Sequence, residues 1–358
     1  MSRGKVLLMA VPGVLVVAVV AALLTGSGEP GAGPAGQVAS TPTVIQPTTQ
    51  PTTKQPPAAP LTEEQFLAPG KPQAPPTGAY IGAWVQPTPY SQAGRVDGVR
   101  SFEKSIDRKL DIVGLYRKVG DPFPTESDLA LSKTAVLQLS WASPDVREVL
   151  AGKHDKLIRA KAVAVKEFAK PVLLRWRWEM DRPNLGSVVH EPTDFVLAWQ
   201  RVRKIFDDAG AKNVAWVWCP TAQGFADGTA PLYYPGDNQV DWLCADVYPT
   251  SPWVKGSFSS FGSLAGPFVE WAATHPKPIL IGEYGVAQSY GPKRSAWLQD
   301  MAAYVRNTPQ IKGLVYYAES RPESPDYYRF HLKGDKTATA ALTHIASQPY
   351  FNPLQRTP

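Results

Sequence analysis

Two glutamates are set apart by what precedes them. Glu179 lies near the end of Val172-Leu173-Leu174-Arg175-Trp176-Arg177-Trp178-Glu179-Met180-Asp181-Arg182-Pro183, a run that starts apolar and β-rich and ends among arginines and tryptophans. Glu283 lies in Ile279-Leu280-Ile281-Gly282-Glu283-Tyr284-Gly285, between two glycines that let the backbone turn and approach a ligand closely. Each stretch reads as a buried strand that delivers one carboxylate and then turns. Two carboxylates at the carboxyl ends of two parallel strands suit cleavage of a glycosidic bond, one as general acid and the other as nucleophile or base. Each glutamate also has a plainer reading. Glu179 is equally a partner in a structural ion pair with Arg175 or Arg177; for Glu283 the plainer reading is a turn residue, and its glycine-flanked context favours function over it.

A strand–helix alternation from residue 79 onward provides the frame for these residues. The candidate strands are Tyr80–Val85, Ile112–Val119, Ala135–Ser140, Val172–Trp178, Val214–Cys219, Trp242–Val247, Ile279–Gly282 and Lys312–Tyr317. Amphipathic stretches between and after them cover Lys153–Ala169, Thr193–Ala209, Phe261–Thr274, Lys293–Asn307 and Thr337–Ala346. Eight strands, most followed by a helix, give the α/β class and a closed (β/α)8 TIM barrel over 79–350. An open doubly wound sheet would want a glycine-rich phosphate turn after the first strand, and Gly82-Ala83-Trp84-Val85 is not one. In a barrel the chemistry sits at the carboxyl ends of the strands. There the sequence supplies Trp84, Trp141, Arg175, Trp178, Trp218, Asp246, Tyr248, Tyr284 and Tyr317 beside the two glutamates. Aromatic rings with polar neighbours suit sugars, whose C–H faces are apolar and whose rims carry hydroxyls. Each tryptophan taken alone is more often core than platform, and Tyr248 is as readily a rim residue as a partner of the nucleophile. Glu191, Glu319, Glu323 and Asp326 read as solvated loop carboxylates.

Several other chemistries find no support. The two cysteines, Cys219 and Cys244, form no CxxC array, and the five histidines show neither HExxH nor any ligand spacing, so no metal and no organic cofactor is expected. There is no GxSxG elbow. The net charge of +6 comes without a Lys/Arg cluster, which argues against a nucleic-acid partner. If the chain is exported, Cys219 and Cys244 can form a disulfide, as adjacent strands would bring them near one another; geometry decides it.

The amino-terminal 78 residues are of another kind. Arg3 and Lys5 precede the nearly unbroken apolar run Val6–Leu24, so residues 1–25 read as a signal peptide or an uncleaved membrane anchor. Residues 26–78 hold twelve prolines and many Thr, Gln, Ala and Gly, which predicts a disordered linker. Residues 351–358 read as a tail.

Arg-x-x-x-Glu-Met-Asp at Arg175–Asp181 resembles the acid/base strand of glycoside hydrolase family 26, the endo-β-mannanase family. Val214–Pro220, Tyr234-Pro-Gly-Asp237, Val240–Trp242 and Asp246-Val-Tyr248 resemble its fifth and sixth strands, and Gly282-Glu283-Tyr284-Gly285 its nucleophile strand. The resemblance implies a (β/α)8 barrel and a retaining mechanism. It also implies Glu179 as acid/base, Glu283 as nucleophile and Tyr248 beside that nucleophile. The family commonly has histidine immediately before the acid/base, where this chain has Trp178. The change leaves the carboxylate and alters the pocket wall next to the scissile bond, so the sugar stays open. The expectation is therefore an exported, monomeric, endo-acting hydrolase of a β-linked polysaccharide, extracellular or at the cell surface. Two rivals are a non-catalytic polysaccharide-binding surface protein on the same barrel and an enzyme remodelling the producer's own wall or exopolysaccharide.

Overall fold

A computed structural model describes residues 59–249, 259–319 and 329–356. Eight strands run β1 Tyr80–Val85, β2 Ile112–Arg117, β3 Val136–Trp141, β4 Val172–Trp176, β5 Val214–Trp218, β6 Trp242–Val247, β7 Ile279–Tyr284 and β8 Ile311–Ala318. All neighbours are parallel, and β1 pairs with β8 from Tyr80↔Gly313 to Val85↔Ala318, closing the barrel. The principal outer helices are Gln92–Ser105, Asp155–Phe168, Pro192–Ala209, Phe261–Ala272, Lys293–Arg306 and Lys336–Ser347. The helix Gln92–Ser105 escapes the sequence reading because little of it is apolar; Val99 and Phe102 are its buried hydrophobic residues.

Alternation along each strand divides the core in two. Tyr80, Ile112, Val136, Leu173, Val217, Trp242, Leu280 and Val315 fill the lumen. Their neighbours, among them Ile81, Val113, Leu137, Leu174, Trp216 and Leu243, face outward into the layer under the helices. Cys219 and Cys244 are bonded, with Cα atoms 4.3 Å apart. They continue the β5–β6 seam beyond its backbone pairs at Val217↔Trp242 and Trp218↔Leu243.

The expected linker is corrected at its carboxyl end. The helix Glu63–Leu67, capped by Thr62 in a reciprocal capping box, carries Phe66 into the lumen cluster, 4.7 Å from the Tyr80 ring. A few apolar residues, Leu61, Phe66 and Leu67, anchor a segment whose average composition reads as disordered. The expected tail is packed as well. Phe351 is buried, Leu354 joins Phe66 in the lumen cluster, and Arg356 lies over the Phe66 ring and reaches Asp111 at 3.3 Å. The apolar run 6–24 lies outside the described residues. Among the described residues no helix is long and apolar enough to cross a membrane.

Candidate active site

The lumen changes character at the carboxyl ends of the strands. On β4, Leu173 and Arg175 point inward while Leu174 and Trp176 point outward. The strand then stops, two residues before the sequence predicts, because Arg177 (φ 49°) and Glu179 (φ 52°) adopt left-handed backbone conformations. Such residues cost on the order of 1–2 kcal/mol each and persist only where the surroundings impose them. Here the surroundings are the two adjacent strands. The Arg177 N–H donates to the Trp141 carbonyl at the end of β3, and the Glu179 N–H donates to the Cys219 carbonyl just after β5 at 2.7 Å. Asp181 completes the clamp by accepting from the Thr221 hydroxyl at 2.6 Å and from its N–H. Glu179 is thus held across the barrel mouth by both neighbouring strands.

β7 delivers its glutamate by a different device. Strict alternation would place Leu280 and Gly282 inward and Glu283 outward. The β6–β7 register shifts after Ala245↔Ile281, so that Asp246 pairs with Glu283, and this bulge turns Glu283 into the lumen. Gly282 is required at that point. A Cβ there would sit 2.4 Å from Cys244 Sγ, 2.6 Å from Arg175 Nη1 and 2.8 Å from Asp246 Oδ1.

Arg175 is the hub and is fully buried. Its Nε donates to Ser140, Nη1 to Asp246 at 2.7 and 3.0 Å, and Nη2 to Glu283 at 2.5 Å. The Tyr248 hydroxyl donates to the other Glu283 oxygen at 2.9 Å. Burial works against the arginine's charge, but the two carboxylates outweigh it and raise its pKa. Burial pushes Asp246 well above the usual carboxylate range against the pull of Arg175, with Glu283 and Glu179 adding to the rise. Burial, followed by the charge of Glu283, keeps Tyr248 protonated as a donor. Glu179 stands apart from this network. Burial first and the Glu283 charge second push it up to about 7, opposed by Arg182, whose Nη1 lies 2.7 Å from its carboxylate. Cys219, Cys244 and Asp246 lie close enough together to suggest metal ligands, but the two sulfurs are bonded to each other and offer no thiolate.

Around the carboxylates stands an aromatic wall. Trp84 stacks on Tyr317 at 4.5 Å and meets Tyr116 edge-on at 5.2 Å. Trp178 lies 5.2 Å from Tyr116 and within 6 Å of the Arg175 and Arg177 guanidinium carbons. Tyr248 meets Tyr317 and Phe330. The structure therefore brings together Glu179, Glu283, Arg175, Asp246, Tyr248, Trp84, Trp178 and Tyr317 of the residues singled out in the sequence.

Three others are corrected. Trp141 is 3% exposed and packs on Phe206 under the helices, because Gln138 and Ser140 hold the inward positions of β3. Trp218 is 0% exposed, packs against Phe225 and Trp271, and donates to the Tyr233 carbonyl. Tyr284 follows the bulge outward against Tyr316. Glu319 is corrected as well, being buried rather than solvated, whereas Glu191 is exposed. Glu323 and Asp326 lie outside the described residues. Sequence reasoning missed Tyr116, which shares its inward parity with Ile112 and Gly114, and Phe330, which has no local signal.

No family model matches the chain. Among curated proteins it is 26% identical to Endoglucanase H of Acetivibrio thermocellus over 261 residues, 68% of this chain and 28% of that protein. It is 27% identical to β-1,3-xylanase TXYA of a Vibrio species over 212 residues, 52% of this chain and 42% of that protein. The chain thus spans less than half the length of these relatives. Among solved structures, a GH26 β-mannanase from Bacteroides ovatus superposes with a TM-score of 0.58 at 17% identity, covering 77% of this chain and 90% of that one. The catalytic domain of a GH26 endo-β-1,4-mannanase from Bacillus sp. JAMB-750 gives 0.59 at 14% identity, covering 78% and 88%. The structural neighbours are GH26 β-mannanases and share this fold, and the sequence relatives carry names of glycoside hydrolases.

Proposed function

We propose that this chain is a glycoside hydrolase acting on a β-linked polysaccharide by double displacement, with Glu283 as nucleophile and Glu179 as acid/base. The observation that carries the reading is the unequal treatment of two glutamates facing one lumen. Glu283 is 6% exposed and fixed at both oxygens, by Arg175 and by Tyr248. Glu179, pushed up to about 7, is able to hold a proton near neutrality and give it up. In the first step a Glu283 oxygen attacks the anomeric carbon while the Glu179 carboxylic acid protonates the leaving oxygen. The C–O bond to the leaving sugar breaks as the glycosyl ester to Glu283 forms. In the second, the Glu179 carboxylate removes a proton from water, whose oxygen displaces Glu283 and restores it. Arg175 and Tyr248 orient the nucleophile and accept its return as a leaving group. The aromatic wall of Trp84, Tyr116, Trp178 and Tyr317 suits a sugar's apolar face. Export follows from reading residues 1–25 as a leader or anchor, and the named relatives favour endo action.

The test is hydrolysis of β-glucans, β-mannans and β-xylans by the full chain, with the anomeric configuration of fresh product read by NMR. A β-product supports retention, and an α-product sinks the double displacement. Binding without cleavage across the panel would favour the polysaccharide-binding reading, for which the Trp178 substitution is the motivating observation.

A further inference from the structure

The short stretch that carries Glu179 also carries three arginines, and one of them differs from the others. Arg175 bridges Asp246 and Glu283, and Arg182 pairs with Glu179. Arg177 is only partly exposed, and its Nε is buried with no hydrogen-bond partner. Among the described residues its side chain has no ion pair and no hydrogen bond, only the Trp178 ring 5.8 Å away. Burial pulls its pKa down, and Glu179 is the charge that opposes this. A guanidinium withdrawn from water without a carboxylate partner is unfavourable, and proteins rarely retain one in that state without a role. Its left-handed backbone (φ 49°) holds it one residue from Trp178 and two from Glu179. Arg175 and Arg182 each meet a carboxylate in direct contact, whereas the Arg177 guanidinium meets none, beside the place where the acid/base would act.

From this we infer that Arg177 recognises an anionic sugar unit next to the scissile bond, so that the substrate is a β-glycan bearing carboxylated residues. The inference rests on the hydrolase reading above and names its substrate class. A uronic acid is the carbohydrate that fits. Its planar carboxylate offers two oxygens to a forked guanidinium, and Trp178 alongside supplies a face for its ring. A neutral hydroxyl could accept from the same nitrogens but would leave the guanidinium without a carboxylate partner.

The experiment compares one backbone with and without the charge. β-Glucan and β-mannan, each native and with part of the C6 hydroxymethyl groups oxidised to carboxylates, are given to the full chain, to Arg177→Gln and to Arg177→Lys. The expected result is a kcat/KM at least about tenfold higher on an oxidised polymer than on its parent, the size of one charge-assisted hydrogen bond. Arg177→Gln should bring that ratio to about one, Arg177→Lys should retain part of it, and added salt should shrink it. If Arg177 only supports Trp178, the variants slow both forms alike and the ratio stays put, which overturns the inference. So does a wild-type ratio of one or less. Affinity electrophoresis in the same polymers separates the two readings. Retardation by oxidised polymer that is lost in Arg177→Gln, without hydrolysis, keeps the anion site and sinks the hydrolase. Retardation by neither form of either polymer sinks the anion site.

Discussion

The two strand ends that carry the glutamates solve one problem in opposite ways. β7 keeps its ladder and inserts a bulge, so Glu283 is part of the sheet, buried, and gripped at both oxygens by Arg175 and Tyr248. β4 gives up its ladder after Trp176, and two left-handed residues carry Glu179 over the mouth, where among the described residues its carboxylate pairs with Arg182, a side chain 46% exposed. A nucleophile must be aimed, and a bulge in a closed sheet aims without freedom. An acid that later acts as a base must change protonation and follow the leaving group, which suits a turn clamped at its backbone and loosely held at its head. The difference predicts that substitutions at the β7 end act on geometry and those at the β4 end on proton transfer.

The largest test of that division uses both glutamates and two leaving groups. Glu283→Gln should lower kcat by about 10⁴-fold or more on polymer and on an activated aryl glycoside alike. Glu179→Gln should cost about 10²–10⁴-fold on polymer but little in the glycosylation of an aryl glycoside, whose leaving group needs no proton. Equal losses on both substrates would erase the distinction. Next, Gly282→Ala should reduce kcat/KM by about 100-fold or more by pushing on Arg175 and Asp246. It should also lower stability by ~1–3 kcal/mol in thermal unfolding. A variant with wild-type activity would show that the bulge has slack. Tyr248→Phe removes one donor to Glu283 and should cost about 10–100-fold in kcat, with little change in folding. The smallest effect is at Arg182. It holds Glu179 below where burial and Glu283 would place it, and in the proposed reaction the acid must be protonated to act, so activity should fall as pH rises past about 7. Arg182→Gln should move that alkaline limb of kcat/KM to higher pH; a downward move would show that Arg182 does not act on Glu179.

How much of this was legible in the sequence varies with the range of the interactions involved. Strand positions were readable within a few residues, because Val172–Leu174 and Ile279–Ile281 are short apolar runs containing β-branched residues, as buried strands have. Parity was readable too, yet nearness to a strand end was a poorer guide than alternation. Gln138 and Ser140, or Ala215 and Val217, already imply that Trp141 and Trp218 face outward, and Ile112 and Gly114 imply that Tyr116 faces in. The bulge at Gly282–Glu283 was not readable, since it depends on register with β6 and inverts the parity on which the rest of β7 relies. The plug at Phe66 was hidden by its proline-rich surroundings, and the hub role of Arg175 required carboxylates 71 and 108 positions away.

Phe66 and Leu354 join Tyr80 and Trp242 in the apolar cluster at the amino-terminal end of the barrel. The lumen is therefore a cup with a single lip. In the proposed reaction, reactant, water and departing fragment would all pass the same rim, between Trp84, Trp178 and Tyr317. Accumulated product would then compete for the doorway, and slow exit would surface as product inhibition.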